Sequence, residues 1–258
     1  MPFGYIKSGL MKKSAILFSF LVVIVISGCN SESGGLGQPQ GQDLLVHNPL
    51  GLPPGSNAGS PSSPPTATVG TSCQGHDGQH FCVGLKYVVY KDTSGQPVAS
   101  QTDAINNMGT VNSEWSQCQI GFQMEEFVAV DPTVSGLAFN TANSTDLDPI
   151  RQAYSDQTHF LVVTTGAWNR SGTLGSTAAN AWTNLPGDGI YGAILEQPVA
   201  TFPLIVAHEL GHYMNLDHVS DTSDLMNPII YDTSTKLTPD QCAIARSALS
   251  GFWNSMLR

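Results

Sequence analysis

The stretch from Phe202 to His218, FPLIVAHELGHYMNLDH, is the most informative part of this chain. It opens with an apolar run into which one carboxylate, Glu209, is set between His208 and the later His212. On an α-helix residues four apart lie on one face, so His208 and His212 present two imidazoles to the same point. Glu209 sits one step round the helix, within reach of a water at that point as a general base. His218 comes ten residues after His208, about 15 Å further along if the helix continued. It can join the pair only if the chain leaves the helix and doubles back. That reversal requires a residue at ease with positive φ between Met214 and Asp217, and Asn215 is the candidate. A chance His-Glu-x-x-His with a third histidine at one fixed offset is expected about once in ten thousand chains of this composition. The competing reading, two histidines satisfied on a buried helix, leaves Glu209 an unpaired buried carboxylate, which is costly. The spacing therefore predicts a metal centre held by His208, His212 and His218, with Zn2+ as the ion.

Outward from this stretch the chain alternates strand and helix signals. Residues 81–90 (FCVGLKYVVY) are β-branched and aromatic enough for a strand. Residues 103–118 read as a helix, with Ile105, Met108, Val111, Trp115 and Cys118 spaced by three or four. Strand character returns over 120–130, a short helix follows over 147–154, and 159–165 is another strand. The Gly-, Ser-, Asn- and Thr-rich residues 170–187 are expected as a surface loop, and 189–196 (GIYGAILE) as an edge strand. Two helices finish the chain, one over 202–214 and one from Pro239 to Leu249, for which Thr238 is a good N-cap. The fold class expected from this order is a mixed α/β sandwich.

HELGHYMNLDH, followed by Leu225-Met226-Asn227-Pro228, resembles the metzincin clan of zinc endopeptidases, whose signature is HExxHxxGxxH with a later Met-turn; the matrixin-type members are the nearest flavour. The resemblance covers 73–258 in outline, with strict motif identity over about 208–228. It implies a twisted mixed five-stranded sheet, two long helices including the zinc-site helix, and a C-terminal helix after the Met-turn. By position, His208, His212 and His218 would bind zinc, Glu209 would be the base, and Met226 would form an apolar floor under the metal. Two positions depart from the family pattern: Asn215 replaces its glycine, and Val219 after the third histidine matches no subfamily. Tyr231, five residues past Met226, is a candidate stabiliser of an oxyanion, although a tyrosine two residues past the methionine would match better. The implied activity is endopeptidase cleavage of proteins or peptides, with residues 227–231 near the substrate pocket. The alternative is a surface binding protein on the same scaffold with little catalysis, against which the intact Glu209 argues.

The first residues read as an address. Lys7, Lys12 and Lys13 precede the apolar run 14–27, too short for a spanning helix, and residues 1–28 are expected as a signal peptide. Ile26-Ser27-Gly28-Cys29 resembles the bacterial lipobox, which implies lipidation of Cys29 and a membrane contact through the acyl chains. Asn30 behind it points to the outer membrane of a Gram-negative bacterium, with plain secretion as the other course. Residues 29–72 are expected as a tether: from 30 to 72 there is no Lys, Arg or aromatic residue, and Gly, Pro and Ser fill 22 of 43 positions. The catalytic domain then spans 73–258.

With Cys29 set aside, Cys73, Cys82, Cys118 and Cys242 remain, an even number in an exported chain. Of the three connectivities open to them, we expect Cys73–Cys82 closing a short loop and Cys118–Cys242 tying the early domain to the last helix. A thiolate switch on the metal is the other role open to Cys73, but its surroundings (TSCQGHDG) do not match such a motif. Charged residues are 12% of the chain and the formal net charge is -10, which argues against nucleic acid as a partner. The protein is expected to act as a monomer. The Asp residues leave room for a structural Ca2+, though no loop motif supports one.

Overall fold

The computed structural model describes residues 24–25, 73, 77–177 and 179–258. The expected signal peptide (apart from 24–25), Cys29 and the tether lie outside the described residues. At the centre is a five-stranded sheet in the order β3-β2-β4-β6-β5, built from β2 (Phe81–Tyr90), β3 (Ile120–Val130), β4 (Phe160–Thr165), β5 (Ala181–Trp182) and β6 (Ala193–Glu196). The first four in that order run parallel and β5 is antiparallel to β6, which makes the sheet mixed. A separate pair joins β1 (Ile24–Val25) to β7 (Ile229–Ile230).

Every residue of β2 is buried except the half-buried Lys86, as a strand covered on both faces must be. Its odd-numbered side chains, Val83, Leu85, Tyr87 and Val89, enter one core together with Phe160, Val162 and Leu195. Its even-numbered Val88 and Tyr90 enter a second core with Leu161, Val163 and Ile194, the two-residue period expected of a pleated strand. The larger core is roofed by α1 (Gln101–Trp115), α4 (Pro203–Tyr213) and α5 (Pro239–Gly251); α2 (Leu147–Tyr154) and α3 (Thr173–Thr177) cover the other face.

Local chemistry sets the helix ends. Ser100 and Asp103 form a capping box on α1, and Thr238 and Gln241 form one on α5 with Pro239 in its first turn. α1 is bound to the metal-site region by Trp115 Nε1, which donates to the Ala207 carbonyl at 3.1 Å, and by Asn107 Nδ2, which donates to Ala200 at 2.7 Å. Disulfides join Cys73 to Cys82 and Cys118 to Cys242, with Cα–Cα distances of 5.6 Å and 4.9 Å.

Two elements differ from the sequence reading. The strand within 189–196 is interior, lying between β4 and β5, and the edge of the sheet is Ala181–Trp182. All four residues of β6 are buried, as suits a strand with neighbours on both sides. Residues 170–187 are more than a loop, because they contain α3 and β5. A two-residue strand is too short to show alternation, and the Gly, Ser and Asn around it mask it.

Candidate metal centre

α4 carries His208, Glu209 and His212, and all three are buried at 2% exposure or less. The helix ends at Met214, and Asn215 takes φ 67°, the left-handed conformation that the reversal requires. Leu216 N–H donates to the Gly211 carbonyl and Asn215 N–H to that of His212, both at 3.0 Å. This is the Schellman pattern of helix termination, and it turns the chain so that His218 comes back over the helix. The Nε2 atoms of His208 and His212 are 3.0 Å apart, and each lies 3.2 Å from Nε2 of His218.

The ring orientations are set by the other nitrogens. His208 Nδ1 donates to the Leu225 carbonyl and His212 Nδ1 to the Leu216 carbonyl, each at 2.7 Å. A neutral ring that donates from Nδ1 has its lone pair on Nε2. Burial, reinforced by mutual repulsion, depresses the pKa of His208 well below its ordinary value and that of His212 to about 3; burial also lowers that of His218. The Nε2 lone pairs of His208 and His212 therefore face each other and Nε2 of His218 within hydrogen-bond distance, an arrangement that a cation among them relieves. A tetrahedral zinc with bonds of about 2.0–2.1 Å spaces its nitrogens by roughly 3.3 Å, close to the triangle seen here. The donor set thus fits Zn2+.

Met226 is fully buried and packs against α4 at Gly211. A Cβ on Gly211 would collide with Met226 Sδ, so the glycine is what admits the methionine. The turn that carries Met226 is pinned by Asp224, whose Oδ1 accepts from Met226 N–H at 2.8 Å and from Gln241 Nε2 of α5 at 2.9 Å. Asp224 had no signal in the sequence, since both of its partners depend on the folded turn.

Glu209 Oε2 accepts from Thr183 Oγ1 at 2.6 Å, whereas Oε1 is buried with no hydrogen-bond partner among the described residues. Burial pushes the Glu209 pKa up to about 7 against the opposing effects of the Thr183 hydroxyl and the Arg151 charge. Arg151 is itself buried and donates to the carbonyls of Gly192 and Trp182 and to Asp148. Thr183 and Arg151 escaped the sequence reading: one lies in the stretch taken for a loop, the other in a helix with no motif. Tyr231 stands in the wall of a cavity of about 260 Å³, with Thr110, Glu114, Phe202, Leu204 and Ile230.

A second group of metal-ligand types joins Glu126 of β3 to Asp156 and His159, just before β4. It is occupied by ion pairs: Lys86 lies 3.5 Å from Glu126 and 3.8 Å from Asp156, and His159 bridges Asp156 and Glu125. No helix among the described residues is long and apolar enough to cross a membrane.

Residues 84–246 match the matrixin peptidase family. No curated protein matches the chain. Among solved structures, metalloproteinase-II from Bacteroides fragilis aligns at 16% identity over 63% of this chain and 52% of its own, with a TM-score of 0.44. A chaperone–substrate complex aligns at 8% identity over 70% of this chain and 36% of its own, with a TM-score of 0.48. The chain thus spans about half the length of the first and about a third of the second.

Proposed function

We propose that this chain, a member of the matrixin family, is a zinc-dependent endopeptidase acting on proteins or peptides outside the cytoplasm. The observation that carries this reading is the convergence of three neutral imidazoles beside a buried carboxylate with one unpartnered oxygen. When bound, a zinc ion supplies Lewis acidity at that point, polarising a carbonyl and making water nucleophilic near neutral pH. His208, His212 and His218 would hold the ion, and Met226 would form an apolar floor beside it.

Glu209 takes a proton from the attacking water at Oε1 and returns it to the leaving amine. The substrate adds as an extended strand to the edge of β5, which pairs with no further strand among the described residues and leads into Thr183 beside the base. One of its side chains enters the cavity lined by Leu204, Ile230 and Tyr231, and Tyr231 is the candidate donor to the developing oxyanion. In this reading Cys29 carries a lipid anchor, so Cys29→Ser should free the protein from membranes; unchanged fractionation would contradict the anchor.

The test of the activity is cleavage of casein and of a quenched peptide library by wild type beside Glu209→Ala. The proposal expects cleavage by wild type and its loss in the variant, with zinc still bound. Equal cleavage by both, or none by zinc-loaded wild type, would overturn it.

A further inference from the structure

The general base needs more than burial, because a carboxylate that rotates freely about its last bond presents either oxygen to a reacting water. One side chain restricts Glu209: Thr183, 1% exposed, whose hydroxyl donates to Oε2 at 2.6 Å. With Oε2 engaged, Oε1 is the oxygen left unpartnered for the chemistry.

Thr183 is itself held from behind. It follows β5, which is paired to β6 through Ala181–Leu195 and Trp182–Ile194. The guanidinium of Arg151 donates to the Trp182 carbonyl at 2.9 Å and to the Gly192 carbonyl at 2.9 Å, locking β5 to the segment that enters β6. Arg151 is 1% exposed and closed off from water, so this clamp does not compete with solvent. The hydroxyl and the sheet edge thus belong to one rigid piece of chain.

Resting on the peptidase reading above, we propose that Thr183 is the positioning residue of the general base, set on the same edge segment that receives the substrate. A threonine kept only to satisfy a buried carboxylate would affect stability and leave turnover of the folded protein unchanged. A positioning hydroxyl affects kcat and leaves KM in place, since the substrate is bound by the β5 main chain. Small losses of alignment at a reacting group cost rate steeply.

The experiment compares wild type, Thr183→Val and Thr183→Ser as full chains of equal zinc content, on a peptide that wild type cleaves. Valine keeps the shape and removes the hydroxyl; serine restores it. The expected result is a kcat loss of about ten-fold or more in Thr183→Val with KM within about two-fold, and recovery of most of the loss in Thr183→Ser. A Thr183→Val kcat equal to wild type, or a serine variant as slow as the valine one, would overturn the proposal. A second measurement needs no activity: urea midpoints of the zinc-free wild type, Thr183→Val, Glu209→Ala and the double variant. Coupled residues give non-additive shifts, and additive shifts would likewise overturn the proposal. Wild type that cleaves nothing would instead sink the peptidase reading, and the urea series would then decide the Thr183–Glu209 contact alone.

Discussion

Asn215 carries a positive φ of 67° at the point where α4 gives way to the return of His218. A β-branched side chain in that region is strained, asparagine is tolerated, and glycine pays no steric penalty. Asn215→Gly should therefore leave the urea midpoint close to wild type, whereas Asn215→Val should cost about 1–2 kcal/mol. The valine variant should also surrender zinc to a chelator more readily, because His218 is misplaced; equal retention would contradict the role given to the turn. This position was legible in the sequence, as were His208, Glu209 and His212, since all of them follow from spacing along one helix and one reversal. Thr183, Arg151 and Asp224 were not legible. Their roles arise from contacts between segments far apart in sequence, such as Thr183 with Glu209 and Asp224 with Gln241.

Between α4 and the turn that carries Met226, packing is close enough for one methyl group to matter. A Cβ on Gly211 meets Met226 Sδ and lies 3.4 Å from Trp115 Cζ2. Trp115 is tied by its indole to Ala207 in the same helix and has no easy direction of retreat. Gly211→Ala is expected to lose about 1–3 kcal/mol in chemical unfolding, in spite of alanine's better helix propensity. An unchanged or raised midpoint would show that the methionine floor is looser than described. Helices α1, α4 and α5 were readable because apolar spacing and capping residues mark them locally, Thr238 and Pro239 most clearly. The edge strand was misplaced for the opposite reason: being an edge is a property of the sheet's order, and Ala181–Trp182 gains its strand character only by pairing with β6.

At the scale of the whole molecule, a network links the middle of β3, the segment before β4 and the last residue, Arg258. His159 touches Asp156 and Glu125, and Arg258 pairs with Glu125 at 2.5–2.8 Å. The hydrogen bond to Asp156, helped by its charge and by Glu125, raises the His159 pKa above its ordinary 6.5. A raised folded-state pKa means a stabilisation fully present below pH 6.5 and lost as pH rises through the folded value. His159→Gln should therefore destabilise by about 2 kcal/mol at pH 5.5 and by less at pH 8.5, read from urea unfolding of both proteins. A larger loss at the higher pH would contradict this sign. The mixed strand direction of the five-stranded sheet was expected from the resemblance and is present, whereas the helix cover on both of its faces emerges only from the structure. The split of the core into two faces could be anticipated only in part, because β2 is apolar on both sides and its pattern alone does not say which residues face which helices.

The claim on which the account rests is that His208, His212 and His218 hold one zinc ion, and metal analysis of the purified protein tests it most directly. After zinc supplementation and removal of free metal, elemental analysis of wild type should give one zinc per chain, and His212→Ala, folded by circular dichroism, should have lost nearly all of it. A metal-free wild type, or a His212→Ala variant that keeps its zinc, would contradict the account.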